Sequence, residues 1–261
     1  LPRGTAPRSV AFTTLAGALW SAPALAILNV EELRLADPPA GVSGNIDLSV
    51  SGKAGNTDKQ ELALDGRIQN HRDDITDFLI VSYDYGQAND ARNANATLLH
   101  GRHVVQYLPW RAWEAFTQLE QDEFTRLSLR GLLGGGLRVT IAQRDDDMSG
   151  HLGVGAFYSH EKLEHRAGLS DHGTDDDLRG SFYFAYKRRL DPQVSIASTT
   201  YYQPNVENVA DFRVSELAAL VVKMSGSLSL KLLLNVSHDS RPPQAVESTD
   251  VSYTTSVSYQ F

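Results

Sequence analysis

The chain has 261 residues, a formal net charge of −8 and no cysteine, which excludes a disulfide scaffold and thiolate-held metal centres. The acidic balance, with no cluster of Lys and Arg, argues against a nucleic-acid partner. Mean hydropathy is −0.29 and no segment beyond residue 26 offers the ~18–20 apolar residues of a membrane helix, but a transmembrane strand needs only about 10 residues with alternate ones facing lipid.

Residues 1–26 read as a secretory signal peptide. Arg3 and Arg8 stand without an acid, an apolar and small-residue stretch runs from Val10 to Trp20, and Pro23 leads into Ala24-Leu25-Ala26, a small-x-small cleavage pattern. Residues 27–40 are expected to be a periplasmic lead-in, in which Val30 to Ala36 could form a short helix stopped by Pro38-Pro39.

From Gly41 to Phe261 the apolar period is two. Val42, Ile46, Leu48 and Val50 oppose Asn45, Asp47 and Ser49; Leu62, Leu64 and Ile68 oppose Glu61, Asp65, Arg67 and Gln69. Leu127, Leu129, Leu133, Leu137, Val139 and Ile141 are assigned to one face, against Ser128, Arg130, Arg138 and Thr140. In the last segment Val251, Tyr253, Val257, Tyr259 and Phe261 share a face opposite Ser252, Thr254, Ser256, Ser258 and Gln260. The pattern predicts strands over 41–53, 58–70, 75–87, 95–108, 111–121, 126–142, 149–161, 177–189, 193–203, 209–223, 226–238 and 249–261. These are long for a globular sheet, whose strands have a mode of about 5–6 residues.

Connections after odd strands, such as 86–94, 162–176 and 239–249, are long and polar, whereas those after even strands are short. That alternation is the mark of an outer-membrane barrel with both termini in the periplasm. The expected fold is therefore an all-β, antiparallel up-and-down transmembrane β-barrel of about 12 strands, with 10 or 14 as neighbouring solutions. An open sheet in lipid would leave edge N–H and C=O groups unsatisfied, so the sheet must close. Tyr83, Tyr85, Tyr107, Trp110, Trp113, Tyr158, Tyr202 and Tyr259 suit interfacial girdles. Gly134-Gly135-Gly136 lacks the Lys-Ser/Thr of a phosphate loop and reads as a kink or a close backbone approach.

Three stretches carry a family resemblance: Gly41-Val42-Ser43-Gly44 leading to Gly55-Asn56-Thr57-Asp58; Arg213 to Lys223 followed by Ser227-Leu228-Ser229-Leu230; and His238-Asp239-Ser240-Arg241-Pro242-Pro243 with Thr249-Asp250. With them, residues 41–261 resemble the salt-induced outer-membrane protein family, a YdiY-like domain of unknown function. Tyr253, Val257, Tyr259 and Phe261 resemble the terminal signal of outer-membrane proteins. That likeness implies recognition by the barrel-assembly machinery in a membrane of lipid and lipopolysaccharide. The resemblance brings no activity and no catalytic residues.

Expected lumen-facing charges are Asp47, Glu61, Asp65, Arg67, Arg102, Arg130, Arg138, Lys187 and Lys231. They can line a narrow pore or interlock as a plug. The leading expectation is a monomeric barrel that is a small-solute or ion channel or a structural envelope component, without cofactor. A rim hydrolase using His238, Asp239 and Ser240 is the first alternative, although neighbours on a strand point to opposite faces. A surface loop binding metal or another ligand through His160, Glu161, Glu164, His165, Asp171, His172 and Asp175 to Asp177 is the second.

Overall fold

The computed structural model describes residues 40–53, 59–144, 147–171 and 173–261. The expected signal peptide, the lead-in up to residue 39, Asp145, Asp146 and His172 lie outside them. Twelve strands occur among the described residues: β1 (Gly41–Lys53), β2 (Lys59–Arg72), β3 (Ile75–Ala88), β4 (Ala91–Leu108), β5 (Arg111–Asp122), β6 (Leu127–Arg144), β7 (Met148–Leu163), β8 (Gly173–Arg189), β9 (Val194–Pro204), β10 (Phe212–Lys223), β11 (Leu228–Asp239) and β12 (Thr249–Gln260). Each pairs antiparallel with its chain neighbours, and β1 pairs with β12 to close the barrel.

Strand β5 shows why the sequence folds this way. Its inward residues Ala112, Glu114, Phe116, Gln118, Glu120 and Asp122 are all buried, and its outward ones, Trp113 and Leu119 among them, are all exposed. The same inversion runs through the molecule. Leu133 is 67% exposed and Val154 57%, while Arg102, Glu114 and Lys231 are 4%, 6% and 3% exposed. In water that arrangement would forfeit about 25 cal/mol for every Å² of apolar surface left out. A belt of exposed Leu, Val and Ile around a charged interior is stable only with lipid on the outside.

Aromatic side chains border the belt. Tyr107, Trp110, Trp113 and Tyr259 point outward near the end carrying the short turns. Near the other end Phe182, Tyr202, Phe212 and His238 form an outward ribbon with ring centroids 6.3, 5.8 and 5.7 Å apart. The closing seam is short, running from Asn45 opposite Gln260 to Leu48 opposite Val257. Phe261 extends it, exchanging two backbone hydrogen bonds of 3.0 Å with Gly44. A Cβ on Gly44 would lie 2.7 Å from the Phe261 ring, so this glycine makes room for the residue that completes the seam.

Three expectations shift. The stretch 86–94 is not a long loop: β3 and β4 continue to a turn at Asn89 and Asp90, both with positive φ (48° and 63°). The loop expected over 162–176 is shorter, spanning 164–172, because β7 runs to Leu163 and β8 begins at Gly173. Leu127, expected on the lipid face, is buried at 4% exposure. Register shifts between Leu127 and Leu129 and between Glu120 and Asp122 turn it inward, as a bulge does by adding one residue to a period of two.

Candidate functional site: the lumen and its mouth

The expected luminal charges share the inward face. Lys231 of β11 reaches past β12 to Asp47 of β1 (2.5 Å), and Asn45 also donates to Asp47 (3.1 Å). Asp65 accepts from the Ser82 hydroxyl, and Glu61 from Ser51 at 3.0 Å. Arg67 donates to Gln69 (2.8 Å) and lies over the Phe78 ring. Arg102 sits between the Phe78 and Phe116 rings and 3.6 Å from Glu114. Arg138 meets Glu114 at 3.9 Å and the Tyr183 hydroxyl at 3.3 Å, and that hydroxyl donates to Glu114 at 2.8 Å. Arg130 bridges Glu120 and Glu161 (3.1 and 3.0 Å). Lys187 is inward beyond Ala185, half-buried. Tyr253, Val257, Tyr259 and Phe261 point the other way, to the outer surface.

The lumen has two unlike walls. From β3 to β9 the inward side chains are large and packed, with Phe116, Leu132, Phe157, Tyr183, Ala185 and Tyr201 forming one buried cluster and Phe78, Ile80, Val104 and Ala112 another. The glycines of β6 and β7 let these rings lie flat against the wall: a Cβ on Gly153 would fall inside the Tyr183 ring, and one on Gly134 would come within 2.6 Å of Phe116. The glycine triplet is thus a close approach within a continuous strand. From β10 round to β2 the inward positions between the charged residues are mostly short, Ser215, Asn235, Thr254, Ser49 and Ala63 being half-buried, with Leu217, Val221 and Leu233 as larger apolar members.

The end carrying the longer loops is capped. Arg126, in the β5–β6 loop, is 1% exposed with φ 63°. It donates to Asp171 Oδ1 (2.8 Å), to the Asp171 and Glu164 carbonyls (2.8 and 3.1 Å) and to the Gln244 carbonyl (2.8 Å). Gln244 in turn donates its backbone N–H to Asp171 Oδ2 (2.5 Å). The β5–β6 and β11–β12 hairpins stand six strands apart in the twelve-strand ring, so the 240–248 loop crosses the mouth to be fastened on the far side. Beneath it lies a cavity of about 30 Å³ lined by Glu120, Arg130, Glu161, Arg213 and Asp239, where Arg213 bridges Glu161 (2.5 Å) and Asp239 (3.0 Å). Burial alone would raise the Asp171 carboxyl, but the Gln244 N–H and the Arg126 guanidinium outweigh it and hold the group below the usual range.

A family model described as "Protein of unknown function, DUF481" matches residues 46–261. The chain belongs to this family. The family is that of the YdiY-like salt-induced outer-membrane proteins. No match is found among curated proteins. Among solved structures, the translocator domain of the autotransporter NalP from Neisseria meningitidis aligns with a TM-score of 0.50 at 9% identity, covering 88% of this chain and 91% of that one. The NanC porin aligns at 0.49 with 10% identity, covering 84% and 99%, and the KdgM porin in complex with disordered oligogalacturonate at 0.44 with 14% identity, covering 84% and 99%. Identity this low speaks for fold alone. This DUF481 chain has the fold of a bacterial outer-membrane β-barrel.

In this family member the residues considered for other chemistry are drawn apart. His238 points outward, against Phe212 and within 2.8 Å of Thr249, while Asp239 points inward to Arg213. Ser240 Oγ accepts from the Phe212 N–H. Glu161 is luminal, whereas His160 lies outside, 2.7 Å from Asp176. Among the described residues no group of three or more His, Asp or Glu side chains is placed to hold a metal. Sequence reading missed two features. Arg126 is the first residue of the strand expected over 126–142, with no role assigned to it, and Glu216 was passed over although it falls on the outward register of β10, opposite Thr200 and Val236. There it accepts hydroxyl hydrogens from Ser198 (2.6 Å) and Thr200, a carboxylate on the lipid face.

Proposed function

We propose that this barrel is a narrow channel for ions or small solutes in the outer membrane, closed at its outer mouth by the 240–248 loop. The observation that carries the reading is the inequality of the lumen walls: the half-buried Ser, Thr, Asn and Ala positions of one wall leave room for water that the packed aromatic wall does not. A water-filled path lined by fixed charges is what selective passage requires, and a barrel of about this size can enclose no more than a narrow one. The longer loops and the lid mark the extracellular end, so both termini lie in the periplasm. The chain crosses as a monomer surrounded by lipid and lipopolysaccharide, and the barrel-assembly machinery reads Tyr253, Val257, Tyr259 and Phe261.

A sealed structural barrel is the second reading, favoured by the chain of ion pairs from Glu120 through Arg130, Glu161 and Arg213 to Asp239. One measurement separates the two. In planar bilayers the channel reading expects small, flickering currents from the wild type and larger, longer openings from Arg126→Ala, which frees the lid. Silence from both proteins, each verified as folded by its heat-modifiable gel mobility, sinks the channel and leaves the sealed barrel.

A further inference from the structure

The luminal charges are unevenly divided with depth, cations in excess near the short-turn end and carboxylates in excess near the lid. Counted from the short-turn end of each strand, Arg67 stands five residues in from Arg72, Arg102 six from Leu108 and Arg138 six from Arg144. At ~3.3 Å per residue they occupy one level, with Phe78 between Arg67 and Arg102, Phe116 on the other side of Arg102, Glu114 as the carboxylate beside Arg102 and Arg138, and Asp47, paired with Lys231, at the same depth. Toward the lid carboxylates outnumber cations: Asp65 is seven residues in, Asp84 and Glu120 nine, Glu61, Asp122 and Asp239 eleven and Glu161 thirteen, against Arg179 and Arg213 at ten and Arg130 at fourteen. Several of these accept from neutral donors: Asp65 from Ser82, Glu61 from Ser51, and Asp122 from the backbone N–H groups of Phe124 and Thr125 at 2.9 and 3.3 Å. Such bonds orient a carboxylate without cancelling its charge.

We propose that the lumen is a bipolar rectifier, passing ionic current more readily in one direction than the other; this rests on the channel reading above. In a passage no wider than the ~8–10 Å screening length of ordinary salt, mobile ions follow the wall. Anions collect at the guanidinium level and cations at the carboxylate level. A voltage positive on the lid side drives cations inward from the carboxylates and anions outward from the guanidiniums. Both pile up where the levels meet, and conductance rises. The opposite voltage empties that boundary of carriers, and conductance falls.

The test is the current at equal and opposite voltages, in symmetric KCl, through the wild type and the Arg126→Ala barrel. Sidedness is marked by biotin on Asn89→Cys with streptavidin added to one chamber. At about 0.1 M salt the current with the lid side positive should exceed its reverse at least about twofold, and the ratio should fall toward one at about 1 M, where the screening length is ~3 Å. Replacing Arg67, Arg102 and Arg138 together by Gln should also bring the ratio toward one and leave a cation-preferring pore. The salt comparison needs no variant, so a misfolded triple mutant does not blunt it. A ratio of one at low salt, or an excess in the other direction, overturns rectification while the channel stands. A silent bilayer overturns the channel, and rectification with it.

Discussion

The wall from β3 to β9 and the wall from β10 to β2 come from one repeating pattern and do different work. The first packs Phe116, Phe157 and Tyr183 against glycines, with Phe78 in a neighbouring cluster, and behaves like the core of a soluble protein. The second carries mostly Ser, Thr, Asn and Ala between its charges, with Leu217, Val221 and Leu233 among them. The contrast shows that a twelve-stranded barrel can divide a packed aromatic interior and a mostly small, polar one round its circumference.

That division can be broken from either side. The largest effect should come from Gly153→Val. Its side chain needs the volume of the Tyr183 ring, and refolding into detergent should give no heat-modifiable band. The matching change on the short wall, Ser215→Phe, should fold normally and lower single-channel current by about twofold or more by narrowing the path. If both variants fold and conduct alike, the walls are not different. Next in size is Lys231→Met, which leaves Asp47 buried without its ammonium partner and should cost about 3–5 kcal/mol by urea denaturation. Adding Asp47→Leu should recover most of that loss.

A smaller effect concerns the lid. Because the Asp171 carboxyl is held below its ordinary value, its contribution is present above the ordinary Asp pKa of ~3.9 and lost only as pH falls through the lowered one. Protease nicking in 164–172 and 240–248 should therefore be the same at about pH 7 and about pH 5, and should rise only near pH 3 and below. Sensitivity that appears between pH 7 and 5 would show that another group holds the lid. The smallest effect is expected on the lipid face, where Glu216→Leu should raise stability in detergent by about 1 kcal/mol. A loss there would show that the Ser198 and Thr200 hydroxyls need their acceptor.

The barrel was legible because a period of two survives in every strand, and inward Asp47, Arg67 and Arg102 could be separated from outward Ile46, Ile68 and Leu99 by parity alone. Leu127 shows where parity stops: one bulge reverses a residue's face, and nothing in the residue types around it announces the extra position. The lid was illegible for a different reason. Arg126, Asp171 and Gln244 lie 45 and 73 positions apart, and a single sequence carries no sign that distant loops meet. The triplet Gly134-Gly135-Gly136 announced a close approach without naming Phe116 and Phe157 as what approaches.

Because Arg126 fastens three loops to one another, the capped face is a single mechanical part, and inserting a peptide into any one of those loops would disturb the other two. The Asn89-Asp90 turn stands outside that fastening, exposed at the same end of the barrel. With the lid outermost, as proposed, this turn is the place where a foreign epitope or an affinity tag can be carried without opening the door.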